Sequence, residues 1–152
     1  MQNTVLPNSS TLGSVLSTAI AGVKFDWLTF LRGIGGNGKS VLSTLVFKAL
    51  GGNLAKQMND SVNSNSDANP FVAKLNNARY CLYSEPGRTL DVAVLKQLTG
   101  QSRIAARKLY SNDTECNVQN LSIFFETNDG VLDVSNMDGG VARRLQIADF
   151  PS

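Results

Sequence analysis

The stretch Gly33-Ile34-Gly35-Gly36-Asn37-Gly38-Lys39-Ser40 has the residue types and the spacing needed to hold a chain of phosphates. Its glycines let the backbone curl so that successive N–H groups point at one anion. Lys39 can reach the β- and γ-phosphates, and the hydroxyl of Ser40 can ligate Mg²⁺. A helix beginning here, with Val41 in its first turn, turns its positive end toward the anion. Residues 33–41 therefore predict a binding site for a nucleoside triphosphate, with Lys39 also as a catalytic cation.

Three of the same glycines, Gly33, Gly35 and Gly38, also satisfy the G-x-G-x-x-G fingerprint of dinucleotide-binding proteins. The Lys-Ser pair favours the triphosphate loop, because a dinucleotide loop needs neither residue directly after its last glycine. Asp60 lies roughly where a ribose-binding acid is expected, but it stands in a polar Asn/Ser-rich stretch. A glycine-rich turn that arose by chance is the remaining alternative.

Two polar residues stand where predicted core strands end. Glu85 lies at the end of the predicted strand of residues 79–86, and there its carboxylate can orient the attacking water or help hold Mg²⁺. Asn128 follows the strand of residues 121–127, and its amide can contact the attacking water or the γ-phosphate without adding charge. The alternatives are a surface glutamate and, for Asn128-Asp129-Gly130, an ordinary turn.

Basic residues fall in two places along the chain. Arg143 and Arg144 precede the last strand, and one of them can act as an arginine finger in a neighbouring subunit's site. Taken alone, the two arginines are better explained as solvent-exposed residues that flank a strand. Arg107, Lys108 and Tyr110 lie near the tip of a predicted hairpin, where cations beside an aromatic ring suit a nucleic-acid backbone and a stacked base. An ordinary solvated hairpin explains them equally well.

The composition is that of one globular domain. The chain has 152 residues, of which 42% are hydrophobic and 17% charged, with a formal net charge of +2. The absence of histidine excludes Ser-His-Asp and Cys-His catalytic sites, and Cys81 and Cys116 do not suggest a disulfide framework. No apolar run reaches the length of a membrane span, and Met1–Thr4 lacks the basic start of a secretory signal. We therefore expect an intracellular protein that does not enter a membrane.

Alternating strands and helices are needed to position these residues. The pattern predicts an α/β fold in which a mostly parallel sheet carries helices on both faces. After the loop, the helix of residues 39–50 is expected to end at Gly51-Gly52. Its predicted core stripe consists of Val41, Leu42, Leu45, Val46 and Ala49. Strands are predicted at residues 24–32, 79–86, 121–127 and 145–150, helices at 11–23, 70–75 and 92–98, and a hairpin at 102–118.

The order of the motifs resembles that of the superfamily 3 helicase core, of AAA+ type. The resemblance is to the branch found in primase-helicases of poxviruses, giant DNA viruses, phages and plasmids, and it covers roughly residues 25–150. Its most specific part is Leu-Lys-x-Leu-Thr-Gly followed by Ala-Arg-x-Leu-Tyr. The matching segments are Gly33–Ser40, Ser84-Glu85-Pro86, Leu95–Gly100, Ala106–Tyr110, Thr127-Asn128 and Arg143-Arg144.

The resemblance implies an AAA+-like phosphate-loop NTPase with an inserted β-hairpin. Residues 1–22 would be an N-terminal segment and residues 23–152 the ATPase core. ATP and Mg²⁺ would drive a homohexameric ring 3′ to 5′ along single-stranded DNA at a site of viral or plasmid replication, with a primase or polymerase as further partners. By position, Lys39 and Ser40 match the Walker A motif, and Glu85 matches Walker B. Asn128 matches the sensor asparagine, and Lys108 falls in the hairpin that contacts DNA. Arg144 is the better match to the arginine finger, with Arg143 next.

Three features depart from the family pattern. Ser84 precedes Glu85 where many members have a second acid, and Gln101 stands where an acid often follows Thr-Gly. We also expect the helical collar that usually precedes the core to be missing from this short chain. Two other functions remain open. One is a stand-alone ATPase or small-molecule kinase that is indifferent to DNA. The other is a nucleotide-binding core fragment that turns over slowly because it does not assemble the ring.

Overall fold

The computed structural model describes residues 9–58, 70–84, 92–105, 115–127 and 138–150. Its first half contains α1 (Ser9–Ala21), β1 (Leu28–Arg32), α2 (Lys39–Leu54), β2 (Ala55–Met58) and α3 (Pro70–Ala73). Its second half contains β3 (Tyr80–Ser84), α4 (Val92–Gly100), β4 (Arg103–Ala105), β5 (Glu115–Asn117), β6 (Ser122–Thr127), α5 (Gly139–Ala142) and β7 (Leu145–Asp149). None of the described helices is long and apolar enough to cross a bilayer.

Five of the described strands form one parallel sheet in the order β2-β3-β6-β1-β7. Strand β6 lies between β1 and β3, so that Glu126 is level with Leu31 on one side and with Ser84 on the other. Parallel strands end at the same edge, which we call the carboxyl edge. The α/β fold predicted from the sequence is confirmed, and β4 and β5 pair antiparallel as the predicted hairpin.

Buried apolar side chains cover both faces of the sheet. On one face Phe30 and Phe125 stack with ring centroids 4.6 Å apart, and α3, α4 and α5 contribute to the same cluster. On the other face Leu82 and Phe124 pack with Val46 of α2 and with α1. Because successive strand residues point to opposite faces, each strand serves both clusters. The predicted placement of helices on both faces is therefore correct.

The buried face of α2 differs from the predicted one. Val41 and Leu45 are 65% and 58% exposed, whereas Lys39, Ser43 and Val46 are buried. Lys39 packs into the loop before the helix, and residues four and seven positions later lie on the same helix face. The predicted stripe is therefore correct at Val46 and wrong at Val41, Leu45 and Ala49, because apolar spacing alone did not reveal that the lysine faces inward.

Three local features were not predicted or differ from the prediction. Gly51 has a non-helical backbone (φ 73°), as expected of a helix stop, but α2 resumes across this break and ends at Leu54. β2 then forms the sheet edge opposite β7. Helix α5 directly precedes Arg143, where the sequence predicts no helix. Asp138 begins it by accepting hydrogen bonds from the N–H groups of Gly140 and Val141, and an ion pair with Lys96 lowers the pKa of this carboxyl.

Candidate phosphate-binding site

The loop between β1 and α2 is fixed to the end of β7. Asn37 Nδ2 donates to the carbonyl oxygen of Phe150 (3.0 Å), and the Phe150 N–H donates to the carbonyl oxygen of Arg32 (2.8 Å). A Cβ atom on Gly33 would lie 2.0 Å from Asn37 Nδ2 and 2.6 Å from the Phe150 carbonyl oxygen. The start of the loop therefore has room only for glycine.

Gly33→Ala is expected to lower the free energy of unfolding by about 1–3 kcal/mol, because the methyl group must displace Asn37 and the Phe150 backbone. Gly35→Ala is the matched control: no atom lies within 4 Å of its added Cβ, and its φ is not in the left-handed region. Urea unfolding followed by circular dichroism compares the two variants with the wild type. Equal stability of the two variants would show that this close approach does not exist.

Two glycines shape the far end of the loop for an anion. Gly36 and Gly38 have φ values of 84° and 89°, a left-handed conformation that side chains disfavour. Gly38 is the N-cap residue of α2, and it offers no side-chain acceptor to the first N–H groups of the helix. These N–H groups and the positive end of the helix suit a phosphate oxygen.

Lys39 lies inside the loop and is only 2% exposed. Its ammonium group donates to the carbonyl oxygen of Gly33 (2.7 Å), to Asn37 Oδ1 (2.8 Å) and more weakly to the carbonyl oxygen of Ile34 (3.3 Å). These acceptors are neutral, so the buried charge has no carboxylate partner among these contacts. Phosphate oxygens would give the ammonium group charge-assisted hydrogen bonds, which are stronger.

Ser40 meets a residue that the sequence analysis missed. Its hydroxyl donates to Glu126 Oε1 at 2.8 Å. The sequence predicts the strand of residues 121–127 as apolar core and a functional residue only at Asn128. A charged residue near the end of such a strand was the available signal. To connect this charged residue with the loop, one must know that β6 lies beside β1, and the sequence alone does not show that order.

The carboxyl edge holds one further carboxylate among the described residues. Asp149 of β7 accepts two hydrogen bonds from the Arg32 guanidinium (2.6 and 2.9 Å). This pairing lowers the pKa of Asp149 and raises that of Arg32. On β3, Ser84 has only a hydroxyl group, which accepts from Gln57 Nε2 at 3.1 Å.

Arg144 and Arg143 do not lie at the loop of their own chain. The N–H of Leu28, at the start of β1, donates to the Arg144 carbonyl oxygen (2.9 Å), so both arginines lie near the opposite edge of the sheet. Five-residue β1 separates the two edges by roughly 13 Å. The Arg144 guanidinium donates to the hydroxyl of buried Thr99 (2.8 Å), whereas Arg143 is exposed. The structure thus joins Arg144 to the Leu95–Gly100 segment.

The structure does not test the remaining predicted site residues. They lie outside the described residues, and their roles stay predictions: Glu85, Asn128, Arg107, Lys108 and Tyr110.

Comparisons with known proteins give a sequence relative and a shared fold. No protein-family model matches the chain. In an alignment of 117 positions that covers 70% of this chain, it is 32% identical to "Putative helicase 022R" of Frog virus 3 (isolate Goorha), and it spans 12% of that protein. Two structures of the apo A form of the NrS-1 C-terminal region align with TM-scores of 0.64 and 0.62 at 17% and 16% identity, each over 95% of this chain and 34% of that region. The chain is therefore similar to one segment of a viral protein named as a helicase, and it shares its fold with part of a larger solved region.

Proposed function

We propose that this chain is the ATP-hydrolysing core of a DNA-replication helicase. The observation that carries the proposal is the loop itself: a buried lysine is held inside it, and a serine at the first turn of α2 is hydrogen-bonded to a strand-end carboxylate. The similarity to the viral helicase-named protein supports the choice of a helicase over a kinase.

Nucleotide binding would exchange the internal contacts of the loop for contacts to phosphate. The Lys39 ammonium would leave the Gly33 and Asn37 oxygens and bind the β- and γ-phosphates. The N–H groups after Gly38 would donate to oxygens of the same phosphates. The hydroxyl of Ser40 and the carboxylate of Glu126 are oxygen donors of the kind that Mg²⁺ prefers. Bound Mg²⁺ would supply charge neutralisation at the phosphates.

The position of Arg144 favours a shared site. Because it lies at the opposite edge of the sheet, it can serve as an arginine finger only at the loop of another copy. A closed ring of identical subunits brings unlike edges of neighbours together, and we propose a hexamer on the resemblance described above. Single-stranded DNA would pass through this ring and contact the hairpin near Lys108.

ATP hydrolysis measured against protein concentration, with and without single-stranded DNA, tests this function. We expect the specific activity to rise with protein concentration, because each site needs a neighbour, and to rise further with DNA. Size measurement by sedimentation under the same conditions should show assembly. A monomer whose ATPase is indifferent to DNA would support the stand-alone ATPase or kinase instead. A chain that binds ATP but neither assembles nor hydrolyses it would be the core fragment.

A further inference from the structure

We infer that Glu126 is the metal-side acid of this site, which positions the Ser40 hydroxyl and holds a water of the Mg²⁺ shell through its second oxygen. The inference rests on the proposed function, because it concerns the metal that accompanies the bound nucleotide. It assigns a role to a residue of β6, whereas the predicted Walker B acid follows β3.

The strand geometry directs Glu126 toward α2. Side chains alternate along β6, and Phe124 belongs to the cluster that contains Val46 of α2. Glu126, two residues later, points to the same face and is half-buried at the carboxyl edge. Ser40 lies in the first turn of α2, directly above this position, and the two oxygens are 2.8 Å apart.

No other described residue offers a carboxylate on this face of the carboxyl edge. Ser84 is level with Glu126 on the neighbouring strand, but its side chain is neutral and accepts from Gln57. Asp149 lies on the opposite face, with Leu145 and Ile147 of its own strand, and it is bound to Arg32. Glu126 thus lies on the strand next to Ser84, the position where many family members have a second Walker B acid.

The hydrogen bond determines what each group can do. Because the Ser40 hydroxyl donates its hydrogen bond to Glu126, its oxygen lone pairs are left for a metal ion. Among the described residues Glu126 Oε2 has no hydrogen-bond donor, which leaves it available to a metal-bound water. Mg²⁺ keeps several waters and is commonly held by one or two carboxylates together with substrate phosphates, so this donor set fits it.

The same carboxylate repels a triphosphate when no metal is present. The Glu126 carboxylate should therefore weaken the binding of nucleotide without metal and strengthen the binding of nucleotide with Mg²⁺. Glu126→Gln keeps the shape of the side chain and removes its charge. We expect this variant to bind ATP without metal at least as tightly as the wild type does. The gain in affinity that Mg²⁺ brings should fall by about tenfold to a hundredfold, the usual loss when a residue that orients a metal ligand is removed.

Titration calorimetry with ATP, in EDTA and across a series of Mg²⁺ concentrations, measures both effects without relying on turnover. Glu115→Gln is the matched control, since it removes an exposed carboxylate on the hairpin strand β5. Ser40→Ala and the double variant with both substitutions complete a double-mutant cycle. If Glu126 acts through Ser40, the double variant should lose little more than the worse single variant.

The outcomes separate this inference from the function on which it rests. Wild-type protein that binds ATP, together with a Glu126→Gln variant of unchanged Mg²⁺ dependence, would overturn the role of Glu126 alone. Equal loss of affinity in EDTA and in Mg²⁺ would also overturn it, because that result indicates loop damage. Wild-type protein that binds no ATP under any condition would overturn the proposed function itself.

Discussion

Lys39→Ala is expected to weaken ATP binding about a hundredfold and to abolish hydrolysis. The Lys39 ammonium is the buried cation of the loop, and hydrogen bonds to charged groups contribute about 1.5–3 kcal/mol each. Loss of about 3 kcal/mol corresponds to roughly a hundredfold in affinity. Calorimetry with Mg·ATP and a phosphate-release assay measure the two quantities.

The variant also removes the donor to three loop oxygens, so loop damage must be separated from lost phosphate contacts. Lys39→Met keeps most of the side-chain volume and should show the same loss of binding. Lys48→Ala, at an exposed position of the same helix, should bind ATP as the wild type does. Unchanged hydrolysis in a folded Lys39→Ala protein would refute the assignment of this site.

Arg144→Ala is expected to lower the rate of ATP hydrolysis about a thousandfold or more, as removal of an arginine finger does, while ATP binding stays close to that of the wild type. The reason is its place at the far edge of the sheet, where it can act only on a neighbour's nucleotide. A mixture with Lys39→Ala protein should regain part of the activity. In mixed assemblies, a Lys39→Ala subunit supplies an intact Arg144 to a neighbour whose loop is intact.

Two controls accompany this experiment. Arg143→Ala tests the exposed neighbour and should retain most of the activity. Thr99→Val removes the hydrogen bond to the Arg144 guanidinium but keeps the guanidinium, so it reports any loss caused by local packing. If the mixture hydrolyses no more ATP than the two variants measured separately, Arg144 does not act in a neighbouring site.

Sequence and structure agree where local spacing determines the outcome. The loop between β1 and α2 was predictable because the spacing of its glycines is local, and its nucleotide-binding role stays a prediction. The strands containing Phe30, Tyr83 and Phe124 were predicted because buried parallel strands are continuous apolar runs. The turn of α2 at Gly51 followed from glycine chemistry, although the helix resumes beyond it.

The disagreements have a common physical cause, which is that they depend on contacts between distant parts of the chain. Glu126 matters because β6 inserts between β1 and β3, an order set by the packing of the whole sheet. The exposed position of Val41 follows from the burial of Lys39 in a loop fixed to Phe150. Strand β2 has only four residues, two of them polar, so its membership of the sheet depends on pairing with β3 and not on its own sequence.

Nuclear magnetic resonance of the ¹⁵N-labelled wild-type chain tests the central claim most directly, because it reports where a nucleotide binds without requiring turnover or assembly. A non-hydrolysable ATP analogue with Mg²⁺ should shift the backbone N–H signals of residues 33–41 and of Glu126, saturating at one nucleotide per chain. The signals around Arg144 in the isolated chain should stay in place. Saturable shifts centred elsewhere, or none at all, would contradict the assignment of the loop as the nucleotide site.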